Sequence, residues 1–203
     1  IISKLFFPAA DPAAQLFATF GVFAVGFVFR PLGAVLFGYI GDKYGRRASL
    51  VIAILMMAIP TGCIGLLPTY AEIGYLAPLL LTVIRIFQGL SLGGEFSGSI
   101  AYIVEHAPPE KRGIAGSASI ISLILGFLLG SFVAMITASA LPVEDFERWG
   151  WRIPFLLGIG IGVVGFYIRA HCDESPAYTE AKKEGHLSSR PLRDAFARHP
   201  LSM

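Results

Sequence analysis

Gly38-Tyr39-Ile40-Gly41-Asp42-Lys43-Tyr44-Gly45-Arg46-Arg47 lies between two long apolar runs, residues 16–40 and 48–67. Each run is long enough to cross a bilayer, which takes ~20 predominantly apolar residues. The link between them is therefore a tight, basic turn at a membrane face. Lys43, Arg46 and Arg47 put that face on the cytoplasmic side, because short cytoplasmic loops carry the Lys/Arg excess. Gly41 and Gly45 permit a reversal that a Cβ obstructs. Asp42 can pair with a neighbouring arginine or face the positive end of a helix. A generic basic hairpin obeying the same charge rule accounts for these residues equally well, so the turn decides topology before it decides function.

Working outward, three more apolar runs follow at residues 76–104, 113–140 and 154–170. The chain has 203 residues, of which 55% are hydrophobic and 15% charged, with a mean hydropathy of +0.68. A soluble domain carries about 25% charged residues, so the composition predicts an all-α integral membrane protein with about five complete spans. The alternation is self-consistent. Lys111, Arg112 and most cations of the tail fall inside, whereas the outer loops at 68–74 and 141–152 hold few. Pro31 and Pro60 predict kinks within the first two spans, which neighbouring helices tolerate in lipid. Gly126-x-x-x-Gly130 and Gly158-x-x-x-Gly162 are spaced for close helix packing. Trp149 and Trp151 suit anchors at the outer interface. Cys63 and Cys172 fall at different depths, which predicts two free thiols. No cleavable leader is legible in residues 1–12.

Three ionisable side chains lie within the spans: Arg30, Arg85 and Glu95. Intramembrane charges are costly, so each is a functional candidate with a partner to be found. Glu95 lies about ten residues, ~15 Å, along the helix from Arg85. Arg85, Gln88, Glu95, Ser99 and Tyr102 fall within an arc of roughly 100°, a polar stripe expected to face a cavity or another helix. Arg85 suits an anionic carboxylate through its planar donor fork. Glu95 suits a proton carrier, because a carboxylate can be neutralised in a dry site. Arg30 and Glu95 both lie in the inner halves of their spans and could instead form a structural ion pair. Gln88 suits packing and interhelical hydrogen bonding.

The pattern Gly38-x-x-x-Asp42-Lys43-x-Gly45-Arg46-Arg47 resembles the loop signature of the major facilitator superfamily. Arg85-x-x-Gln88-Gly89 is similar to that superfamily's fourth-helix motif. Arg30-Pro31-Leu32-Gly33, Gly93-Gly94-Glu95 and Trp149-Gly150-Trp151-Arg152-Ile153-Pro154-Phe155 resemble its metabolite:proton symporter branch, which includes proline/betaine, α-ketoglutarate, citrate and shikimate transporters. The resemblance implies a major facilitator fold, here an incomplete amino-terminal half with the first family helix mostly missing. Residues 1–170 would be the helical bundle and 171–203 the cytoplasmic linker to a carboxy-terminal half. It implies a cytoplasmic gate of Asp42, Arg46 and Glu105 at the inner end of the fourth family helix. Gly38, Lys43, Gly45, Arg47 and Arg112 stand around that gate, and Lys43 and Arg47 can be topology residues alone.

The implied function is proton-coupled symport of a small polar metabolite into a cell, across a bacterial inner membrane. The partners are protons, lipid and a zwitterion or organic acid. The run Phe6-Phe7-Pro8-Ala9-Ala10-Asp11-Pro12 inclines the resemblance towards the proline/betaine type. A non-transporting membrane scaffold or partner subunit, and an integral membrane enzyme, are the alternatives. No hydrolase, metalloprotease or phosphate-loop pattern is present, which predicts no enzyme, no cofactor, no metal and no nucleic-acid partner.

Overall fold

A computed structural model describes residues 1–8 and 11–184. Ala9 and Ala10, from the run that inclines towards osmolyte carriers, lie outside the described residues, as does the expected linker beyond residue 184. The described chain is a bundle of α-helices: α1 (Ile2–Phe6), α2 (Pro12–Tyr44), α3 (Arg46–Leu66), α4 (Tyr70–Ile73) and α5 (Leu76–His106). These are followed by α6 (Arg112–Ala140), α7 (Val143–Arg148), α8 (Ile153–His171) and α9 (Pro176–Lys183). Short 3-10 turns at Pro109–Lys111 and Gly150–Arg152 lead into α6 and α8. Among the described residues, α2, α3, α5, α6 and α8 are long and apolar enough to cross a membrane.

Local chemistry sets the helix ends. Asp11 caps α2 by accepting from the Ala13 amide at 3.0 Å, with Pro12 in the first turn where its missing N–H costs nothing. The reversal from α2 to α3 is a single residue, Gly45, at φ +104°, a conformation that excludes most side chains. Gly41 is not at the reversal as expected but one turn before it, where its carbonyl accepts from the Gly45 amide at 3.1 Å. It is buried inside α2, where a Cβ would sit 3.1 Å from the Arg46 guanidinium. Thr69 and Glu72 form a reciprocal capping box at α4, inside what the sequence reads as a plain outer loop. α5 stops at Ala107, before Pro108 and Pro109, which cannot extend it.

The centre of the bundle is α5, packed along α2 and against α3, while α3 packs along α8. The contact of α2 with α5 is nearly backbone to backbone. A Cβ on Gly33 would overlap the Leu90 carbonyl, one on Gly89 the Gly26 carbonyl, and one on Gly93 the Arg30 carbonyl. Gly89 and Gly93 are therefore the small-residue pair on which this crossing depends. Gly158 and Gly162 play the same part for α8 against Thr61 and Ala58. Gly126 and Gly130, also spaced for packing, face open space on α6.

At the outer end, Phe6, Val22, Ile64, Leu67, Ala77, Leu81 and Trp151 form one apolar cluster. Trp151 is 4% exposed and meets Phe6 and Phe155 edge-on, with ring centroids 5.8 and 6.2 Å apart. It is thus a core residue rather than an interface anchor, because the Gly150–Arg152 turn folds it inward. Trp149 is exposed, as an anchor requires.

Candidate functional site

Two constellations of polar side chains stand out, one within the membrane-spanning region and one at the α2–α3 turn. The first is a cleft of about 340 Å³ lined by residues of α2, α3, α5 and α6. Arg30, Arg85 and Gln88 are its polar lining, and Phe23, Phe27 and Phe127 its aromatic walls. The Arg85 guanidinium lies 3.9 Å from the centre of the Phe23 ring, and the Arg30 guanidinium 3.9 Å from the centre of Phe27. Phe23 and Phe27 are one turn apart on α2, with ~5–6 Å expected between their Cβ atoms, and each ring carries one of the two cations. Such stacking holds the plane of a guanidinium and leaves its N–H edge free. Among the described residues, neither arginine Nε has a hydrogen-bond partner and neither arginine has an ion-pair partner.

Arg85 Nη1 donates to Gln88 Oε1 at 3.0 Å, and Gln88 Nε2 donates to Thr61 Oγ1 at 2.9 Å. Gln88 is buried and does make the interhelical hydrogen bond expected of it. Phe23 and Phe27, and Thr61 behind Gln88, were not legible from the sequence, because nothing in an apolar run distinguishes a residue facing a cleft or a helix from one facing lipid.

Glu95 lies apart from this cleft. Its Oε1 accepts from Arg169 Nη2 at 2.6 Å, and Arg169 also reaches the Leu50 carbonyl at 3.5 Å. Glu95 therefore does not pair with Arg30, the structural alternative the sequence left open. Both do lie on the inner halves of their helices, but helical depth fixes only height. The azimuth of Glu95 turns it towards α8, whereas Arg30 turns to the cleft. Arg169, near the end of α8, is the partner. The polar stripe along α5 thus divides: Arg85 and Gln88 face the cleft, Glu95 faces α8, and Tyr102 donates to the Asp173 carbonyl at 2.6 Å.

At the turn, Arg46 bridges two carboxylates. Its Nη1 is 3.2 Å from Asp42, one turn back on the hairpin, and its Nε is 3.6 Å from Glu105 at the end of α5. The three side chains are brought together as the resemblance implies. The second oxygen of Glu105 is buried and has no hydrogen-bond partner among the described residues. Lys43 Nζ donates to the Tyr39 hydroxyl at 3.0 Å and lies over the Tyr39 and Tyr44 rings. Arg47 donates from Nη2 to the Ala170 carbonyl, tying α3 to the end of α8. Gly38 faces open space, and Arg112 stands exposed at the start of α6 outside the Arg46 network.

A third acid joins from after α8. Glu174 Oε1 accepts from the Arg47 amide at 3.1 Å, at the amino end of α3, where a carboxylate is favoured by the unpaired N–H groups. A Cβ on Gly45 would overlap this carboxylate, so Gly45 is needed for space as well as for its φ. Ser175 caps α9 by accepting from Tyr178 N at 3.1 Å, and the Tyr178 hydroxyl donates to the Lys43 carbonyl at 3.1 Å. The only sequence signal for this docking is Ser175-Pro176, a helix start.

Comparison with known proteins gives a consistent picture. The "Sugar (and other) transporter" family profile matches residues 8–196. A proline/betaine transporter of Salmonella typhimurium is 44% identical over 179 residues, covering 88% of this chain and 36% of the relative. The inner membrane metabolite transport protein YhjE of Escherichia coli is 39% identical over 98% of this chain and 45% of its own length. The chain thus spans less than half the length of these relatives. Among solved structures, the proton:xylose symporter XylE bound to 6-bromo-6-deoxy-D-glucose superposes with a TM-score of 0.80 at 22% identity. That match covers 95% of this chain and 43% of XylE, and shows a shared fold.

Proposed function

We infer the function from one premise: this chain belongs to the sugar (and other) transporter family of the major facilitator superfamily. It is a multi-pass protein of the cell membrane and a transporter rather than an enzyme. It forms part of a secondary transporter that carries a small polar metabolite into the cell with protons. The solute is a zwitterionic osmolyte of the proline/betaine type or an organic acid. A second set of helices, equivalent to the carboxy-terminal half of the relatives, completes the solute cavity, and the two halves rock about it.

The observation that carries this reading is the pair of guanidinium groups stacked on Phe23 and Phe27 in one cleft. Proline, betaine and organic acids share a carboxylate. Two preoriented donor forks suit that group, and charge-assisted bonds to it are strong in a site of low dielectric. Arg30 is therefore assigned to the solute cleft beside Arg85, not to an ion pair. The Asp42–Arg46–Glu105 network acts as a cytoplasmic latch. It is partly exposed and made of single contacts, so it can open and reform with each cycle.

The test is the initial rate of uptake of radiolabelled proline, and of α-ketoglutarate, by the whole transporter in liposomes. Arg85→Lys and Arg30→Lys keep the charge and lose the fork. Each should raise KM about tenfold or more, the scale of a charge-assisted bond. Parental KM in both variants would remove the cleft from the solute path. Absence of saturable uptake of both solutes would leave the scaffold alternative.

A further inference from the structure

We propose that Thr61 is a positioning residue for solute binding, holding the Arg85 guanidinium in place through the Gln88 amide. The proposal rests on the reading of Arg85 as a carboxylate ligand. Thr61 belongs to α3, whose residue in the cleft lining is Met57. It reaches Arg85 by a chain of donors that all point one way. Arg85 Nη1 donates to Gln88 Oε1 at 3.0 Å, Gln88 Nε2 to Thr61 Oγ1 at 2.9 Å, and Thr61 Oγ1 to the Met57 carbonyl at 2.7 Å.

Each link fixes the next. A guanidinium has no acceptor, so Gln88 must turn its oxygen to Arg85 and its amino group to α3. The hydroxyl of Thr61 accepts there because its own proton is committed to Met57. Such directed chains polarise one another, and a buried member left without a partner is costly. Gln88 is 9% exposed, too buried for water to replace Thr61 freely.

The surrounding structure holds the hydroxyl at this position. Thr61 follows Pro60, which interrupts the backbone bonding of α3. On its far side α8 comes close, and a Cβ on Gly158 would lie 3.1 Å from Thr61 Cγ2. The threonine methyl therefore faces Gly158 of α8 while its hydroxyl meets Gln88 of α5. Phe23 fixes one face of the Arg85 guanidinium. The Gln88–Thr61 pair fixes its rotation about that face, so the remaining edge points into the cleft.

The experiment is radiolabelled proline uptake by the whole transporter in liposomes, with α-ketoglutarate where proline is not carried, resolved into KM and Vmax per folded molecule. Thr61→Val keeps the methyl against Gly158 and removes only the hydroxyl. KM should rise about three- to tenfold, the scale of one buried hydrogen bond, with Vmax unchanged. Thr61→Ser restores the hydroxyl and should return KM to within about twofold of the parent. A threonine that served packing alone would lower the amount of folded protein and leave KM alone. In an Arg85→Lys background, Thr61→Val should add less than about twofold, because the two act through one contact. Where Thr61→Val is not recovered in the membrane, Thr61→Ala carries the same expectation. The proposal is overturned if Arg85→Lys raises KM while the Thr61 variants match the parent. If Arg85→Lys itself leaves KM unchanged, or neither solute is carried, the reading of the cleft falls and the relay with it.

Discussion

Glu95 shows how a single side chain can be read correctly for depth and wrongly for partner. The sequence places it on the inner half of a span, and the structure pairs it with Arg169 at 2.6 Å, each side chain about a quarter exposed. Removing one member of such a pair leaves an uncompensated charge, which costs ~3–5 kcal/mol when fully buried and less here. Glu95→Gln should therefore lower the yield of folded protein, and Arg169→Gln added to it should restore that yield. Detergent-solubilised protein measured by size exclusion reads both. If Glu95→Gln folds normally but loses uphill accumulation, Glu95 carries the proton instead of bracing α5 to α8. Asp42 is the second test at this scale. It meets Arg46 at 3.2 Å and is half exposed, and a contact of that kind contributes ~0.2–1 kcal/mol. Asp42→Asn should shift the balance of the whole transporter towards the inward-open state about two- to fivefold. Cysteine accessibility from each face measures the shift; parental accessibility with normal uptake reduces Asp42 to a topology residue.

Among the helices, the crossing of α2 over α5 is the most constrained contact. Its backbones touch at Gly33, Gly89 and Gly93, so Gly93→Val must push the two helices apart and should cost at least the ~1–3 kcal/mol of ordinary overpacking. Gly21, on α2 with open space around it, is the matched control. Gly21→Ala should leave thermal stability the same or slightly higher, since alanine favours a helix. Equal melting temperatures for the two variants would mean that the helices do not approach so closely. The long helices themselves were legible, because hydropathy over ~20 residues is a property of each segment alone. So was the meeting of Asp42, Arg46 and Glu105, through a resemblance carried by the loop pattern. The Gly89–Gly93 contact was not singled out, although Gly126–Gly130 was, because identical spacing occurs on packed and open faces. The inward turn of Trp151 and the docking of Glu174 on the Arg47 amide were equally hidden. Both depend on loops whose direction is set by tertiary packing.

At the scale of the whole molecule, the proposed function makes this bundle one of two halves of a transporter. None of the residues in the most apolar window of α6 is buried, and the chain matches under half the length of its relatives. Residues 1–203 alone should therefore carry no solute, since the solute cavity needs helices from both halves. Saturable uptake by this chain alone would contradict the two-half reading. In the proposed cycle the two guanidinium groups of the cleft hold the carboxylate, the Arg46 network closes the cytoplasmic side, and the proton gradient supplies direction. The most direct measurement is radiolabelled proline and α-ketoglutarate accumulation by the whole transporter in liposomes with an acidic outside and an alkaline interior. We expect one of the two solutes to rise above its external concentration and to fall back to equilibrium when a protonophore collapses the gradient. Equilibration of both solutes at the external concentration, with or without the protonophore, would contradict proton-coupled transport.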